Sequence, residues 1–74
     1  MADISDTAAL GGVIRQARKQ QALTQEQLAA RSGVGPRFLR ELEYGKETSR
    51  IGLVFAVINT LGLSVQITGR GGDT

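Results

Sequence analysis

Between Thr24 and Gly45 the chain reads TQEQLAARSGVGPRFLRELEYG, and no other stretch restricts the fold as much. Thr24 is a strong N-cap residue, and Gln27 three positions on completes a capping-box pattern. Leu23 before the cap and Leu28 in the first turn are spaced to close as a hydrophobic staple. After a break at Gly33-Val34-Gly35, Pro36 opens a second helical pattern, its fixed φ and missing N–H suiting the first helical position. Gly45 supplies a residue able to end that helix in the left-handed conformation. The pattern therefore predicts a helix, a tight turn and a second helix.

Inward positions follow from the spacing. Leu28 and Ala29 face the interior from the first of these helices, Leu39 and Leu42 from the second, and Val34 plugs the turn. Phe38 can pack in the core or stack on a ligand, and the core is preferred. Outward from the second helix stand Pro36, Arg37, Arg40, Glu41 and Tyr44.

The flanks supply the rest of a domain. A flexible N-terminus is expected over residues 1–7, a folded unit over 8–68 and a flexible, glycine-rich tail over 69–74. Leu10, Val13, Ile14 and Ala17 repeat at helical spacing, giving an amphipathic helix to about Gln21, with Gly11 and Gly12 weakening its start. Arg15, Arg18 and Lys19 lie off that stripe, and a solvated face near the helix C-terminus is expected of them. From Arg50 to Leu61 the residues are apolar on two sides, which calls for burial on both. The other helices can cover only one side. Leu63 to Thr68 then alternates apolar and β-branched with polar residues, a strand without a partner elsewhere in the chain. A second copy of the chain answers both needs, and Leu53, Val57, Leu63, Val65 and Ile67 are the expected homodimer interface.

Composition narrows the chemistry. With 74 residues there is one domain, too small to gain much stability from its core alone. There is neither cysteine nor histidine, which removes disulfides, thiol nucleophiles, histidine bases and zinc sites, so no cofactor, metal or catalytic residue is expected. No basic-then-apolar leader and no long apolar run is present, so a cytoplasmic location without membrane contact is expected. Net charge is only +2, yet eight of the nine basic residues fall between Arg15 and Arg50 against four acidic ones. That middle carries the two helices.

A helix pair of this kind is the unit that places its second helix in the DNA major groove. Arginine's fork pairs bidentately with guanine, and Arg37 and Arg40 sit in the first two turns on one side. Pairing of both with Glu41, Glu43 or Glu26 is the competing reading. Gln25, at a helix start, is placed to meet a phosphate, and Tyr44 and Lys46 to grip another past the far end. Helix-start preference and loop solubility explain Gln25 and Lys46 equally well. Glu43, repelled by phosphates, is expected to face away from a duplex.

The run LTQEQLAARSGVGPRFLRELEYGK resembles the lambda-repressor-like (Cro/XRE) helix-turn-helix family, and TSRIGLVFAVINTLGLSVQI is similar to its HipB-type antitoxin branch. The resemblance spans about residues 10 to 68. It implies an all-α, four- to five-helix fold with a C-terminal strand pairing across a homodimer. It also implies a repressor bound to an inverted-repeat, double-stranded operator and to a HipA-like Ser/Thr kinase toxin. Reader positions then fall on Gly35, Pro36, Arg37 and Arg40, and backbone clamps on Gln25, Tyr44 and Lys46. Where many members carry Ser and Gln, this chain has Gly35 and Pro36; losing the adenine-reading Gln shifts the weight to Arg37 and Arg40. A stand-alone repressor of the same family, or a protein-interaction module with secondary DNA binding, are the other functions the sequence allows.

Overall fold

A computed structural model describes residues 3–70; Met1, Ala2 and residues 71–74, parts of the two expected flexible ends, lie outside the described residues. Four helices form among them: α1 Thr7–Gln20, α2 Gln25–Ser32, α3 Pro36–Glu43 and α4 Ile51–Thr60. Local rules account for each boundary. Asp6 caps α1 by accepting from the Ala9 N–H at 2.8 Å. Thr24 caps α2 with both arms of a capping box closed, at 3.0 Å to the Gln27 N–H and 2.9 Å from the Thr24 N–H to Gln27 Oε1. Pro36 occupies the first turn of α3, where an N–H would lack a partner.

The ends of α2 and α3 repeat one device. Gly33 (φ +75°) and Gly45 (φ +89°) take the left-handed conformation. The following N–H then reaches back, Val34 to the Ala29 carbonyl and Lys46 to the Glu41 carbonyl, both at 3.0 Å. These are Schellman closures, which satisfy carbonyls that the helix leaves open. At Gly45 the chain also passes so close to the Ala8 backbone that a Cβ would collide with it. Thr7 Oγ1 donates to the Gly45 carbonyl at 2.7 Å, tying the start of α1 to the end of α3.

Ile14, Leu28, Leu39, Leu42 and Val57 are fully buried and form the centre of the core. Each such side chain contributes about 1.5–3 kcal/mol through its removal from water. Helix α3 packs against α1 and α2, and α2 against α4. Close approach of α1 to α3 depends on Gly11, where a Cβ would meet the Leu42 and Glu43 carbonyl groups. Phe38 packs against the core, the preferred of its two expected positions.

Two expectations, on Val57 and Arg18, need correction. Val57, assigned to a dimer interface, is wholly buried within its own chain. The inner stripe of α4 is Val54, Val57, Ile58 and Leu61, the i, i+3, i+4, i+7 set, so the apolar residues left outside are Ile51 and Phe55. Leu53 and Leu63 are half-buried, with Leu63 packed on the core. Within one chain residues 63–68 have no regular structure, and the expected strand was one paired across a homodimer. A strand exists only through hydrogen bonds to a neighbour, and no other described segment is extended beside it. Arg18, finally, is not on a solvated face. It is buried against Glu43.

Candidate nucleic-acid interface

Helix α3 is held by its inner face. Arg18 of α1 donates from Nε to Glu43 Oε2 at 2.7 Å and from Nη2 to Glu43 Oε1 at 3.0 Å, a bidentate pair. Its Nη1 donates to the Leu23 carbonyl at 2.9 Å, just before α2. One guanidinium therefore joins α1, the α1–α2 turn and the last turn of α3. The hydrogen bond to the Glu43 carboxylate raises the Arg18 pKa above its ordinary value against the opposing cost of burial, so the guanidinium stays charged. Glu43 thus points inward, away from any ligand of the outer face.

The outer face carries a different set. Pro36, Arg37 and Arg40 are exposed, with Gly35 exposed at the N-cap. Tyr44, at the C-cap, is 84% exposed, a large aromatic side chain with almost no protein cover. Glu41 lies between cations: Arg37 Nε donates to its Oε2 at 3.3 Å and Lys46 Nζ to its Oε1 at 3.1 Å. The hydrogen bond from Lys46 chiefly, helped by that from Arg37, holds the Glu41 carboxyl below the usual glutamate range against the opposing cost of burial. Arg40 has no carboxylate within ion-pairing distance among the described residues. The competing reading had both arginines paired; Arg37 is, and Arg40 has no ion-pair partner among the described residues.

Gln25 begins α2 and is half-buried; its Nε2 donates to Glu43 Oε1 at 3.1 Å. The amide keeps a second N–H and its oxygen for a ligand, and its direction is set by the Arg18–Glu43 pair. Pro36, Arg37, Arg40, Tyr44 and Lys46 therefore sit along the exposed side and end of one helix, with Gln25 joined to that helix through Glu43. The sequence places Glu41 among possible partners of Arg37, four residues away, but does not pair it with Lys46. Arg18 and Glu43 stand 25 residues apart, and no local pattern pairs them.

The chain is similar to known proteins along most of its length. A helix-turn-helix family model (HTH_3) matches residues 14–67. The uncharacterized HTH-type transcriptional regulator y4mF of Sinorhizobium fredii is 46% identical over 68 residues, 92% of this chain and 90% of that protein. Among solved structures, a chain of the HipB-O4 20mer complex superposes with a TM-score of 0.85 at 20% identity, covering 95% of this chain and 99% of that one. A chain of the HipA-HipB-O2-O3 complex gives 0.86 at 20% identity, with 95% and 99% covered. At that identity the structures establish a common all-helical fold. With its capped helix pair, its glycine-closed turn and a family match over most of the chain, the protein belongs to the Cro/XRE-type helix-turn-helix family.

Proposed function

We propose that the protein is a sequence-specific repressor that reads double-stranded operator DNA through the outer face of α3. The observation that carries this is the asymmetry of that helix, whose only buried carboxylate is neutralised inward while Pro36, Arg37, Arg40 and Tyr44 are left open. Arg37 and Arg40 contact base edges, each worth about 1–3 kcal/mol of discrimination when bidentate. Gly35 and Pro36 bring the backbone of the first turn close to the groove. Gln25, Tyr44 and Lys46 contact phosphates on either side, fixing register. The folded unit is 8–68, and the work is done in the cytoplasm.

The reader acts as a homodimer. Support comes from Ile51 (66% exposed), Phe55 (43%), Val65 (49%) and Ile67 (93%), apolar side chains that one copy leaves in water. Residues 63–68 pair with their counterpart as a strand, and Leu53 and Leu63 border the contact. Two readers then stand about 34 Å apart and recognise an inverted repeat. The likeness to HipB chains, one of them in a complex with HipA, supports an antitoxin whose second partner is a HipA-like Ser/Thr kinase toxin. The same exposed apolar residues also favour a second reading, a module whose main task is holding a protein partner.

Selection from a random duplex pool tests the proposal. Wild-type protein enriches an inverted repeat, and Arg37→Ala with Arg40→Ala removes that preference while sedimentation shows an unchanged dimer. Enrichment of no sequence, or unaltered preference in the double variant, ends the assignment of α3 as the reader. Co-purification of a kinase with the protein from its host separates antitoxin from stand-alone repressor.

A further inference from the structure

Glu41 is misplaced for a residue on a DNA-facing surface. A carboxylate there is repelled by phosphates, and the usual exception is one that accepts from cytosine N4. That exception requires a carboxylate turned outward with its acceptors unengaged, whereas both oxygens of the half-buried Glu41 already accept from cations. Oε2 takes the Arg37 Nε hydrogen bond at 3.3 Å, and Oε1 takes the Lys46 Nζ hydrogen bond at 3.1 Å.

The choice of atoms matters. Arg37 is held by Nε alone, so the terminal nitrogens Nη1 and Nη2 remain free, and that pair is a fork able to meet guanine O6 and N7 together. An arginine at 83% side-chain exposure otherwise samples many rotamers, and a brace at Nε reduces the freedom lost on contact. Arg40 has no such brace among the described residues. At its other oxygen Glu41 draws Lys46, past the C-terminus of α3, toward the protein and offsets its charge.

Building on the DNA-reading function proposed above, we propose that Glu41 is a positioning residue for sequence discrimination. It orients the Arg37 fork toward a base edge and withholds the Arg37 and Lys46 charges from phosphates of unrelated DNA. A pair at helical i, i+4 spacing that only supported the helix would leave base preference untouched.

The experiment uses the full chain and the duplex that wild-type protein enriches from a random pool, with a scrambled duplex beside it. Single-base replacements across the enriched duplex, measured with Arg37→Ala, locate the base pair that Arg37 reads. Glu41→Ala is expected to lose about 5- to 150-fold of discrimination at that same base pair, the range of one bidentate contact. It is also expected to bind the scrambled duplex more tightly, with a salt dependence steeper by about 0.9 in log–log slope as one phosphate contact is gained. Glu41→Gln, which keeps an acceptor but no charge, recovers part of the discrimination and retains the tighter scrambled binding. Undiminished discrimination by Glu41→Ala overturns the inference and leaves the reader assignment standing. So does an Arg37→Ala variant that loses no single base pair while Arg40→Ala does. If the wild type enriches nothing, the reader assignment falls and this inference with it.

Discussion

Two ion-pair systems sit on opposite faces of α3, and they do opposite things. The inner one, Arg18 with Glu43, has side-chain exposures of 9% and 3%, shares two hydrogen bonds and reaches the Leu23 carbonyl and Gln25 besides. The outer one, Arg37 and Lys46 with Glu41, has exposures of 83%, 47% and 33% and one longer bond to each cation. Buried charges depend on each other because neither has water to fall back on; exposed ones exchange partners at little cost. The inner pair thus fixes where α3 lies against α1 and α2. The outer set fixes no helix and leaves the Arg37 terminal nitrogens open to a ligand.

Breaking the inner pair is the strongest test of that contrast. Arg18→Ala leaves the Glu43 carboxylate buried without its cation and is expected to cost about 3–5 kcal/mol in urea denaturation, enough to unfold much of so small a domain. Arg18→Met combined with Glu43→Leu removes both charges and is expected to recover most of that loss. If Arg18→Ala cost under about 1 kcal/mol, the pair would be no more structural than the outer one.

Neighbouring glycines sharpen the same comparison. Gly11→Ala drives a methyl group into the Leu42 and Glu43 carbonyl groups and is expected to destabilise by about 1–3 kcal/mol despite alanine's better helix propensity. Gly12→Ala meets nothing within 4 Å and is expected to stabilise by up to about 1 kcal/mol. Thermal unfolding of the two variants must move in opposite directions. Shifts of the same sign would show that α1 and α3 approach less closely than the Gly11 contacts require.

The smallest effect belongs to the outer face. Because the Glu41 pKa is lowered in the folded chain, its contribution to stability is present above the ordinary glutamate value and is lost as pH falls through the lowered one. Wild type and Glu41→Ala should therefore differ slightly at neutral pH, less in high salt, and converge in acid. A gap that widened on acidification would contradict the Lys46 and Arg37 hydrogen bonds as its source.

Much of the candidate site was legible because it depends on neighbours in sequence. Helical period alone puts Arg37 and Arg40 opposite Leu39 and Leu42, and the structure leaves both arginines exposed and both leucines buried. Arg18 and Glu43 were not legible. A charged residue off the apolar stripe reads as solvated until another helix closes over it. Val57 was misread for a related reason: on a helix apolar nearly all round, the inward side is chosen by where α2 lies against it, which the hydrophobic pattern does not contain.

By itself, then, the sequence determined the capped helix pair and its limits, the turn at Gly33 to Gly35, the presence of a helix on either side, the outward set on α3 and membership in a helix-turn-helix family. Caps, glycines and periodicity act within a few residues, so they can be read along the chain. Only the tertiary structure decided which α4 residues are spent on the chain's own core, why Gly11 must lack a side chain, and which carboxylate holds α3 in place. Those depend on contacts between helices, and burial decides whether a given charge fixes one helix against another. Residues 63–68 mark the boundary between the two: their alternation is written in the sequence, but a strand needs a neighbour, and one folded chain does not supply it.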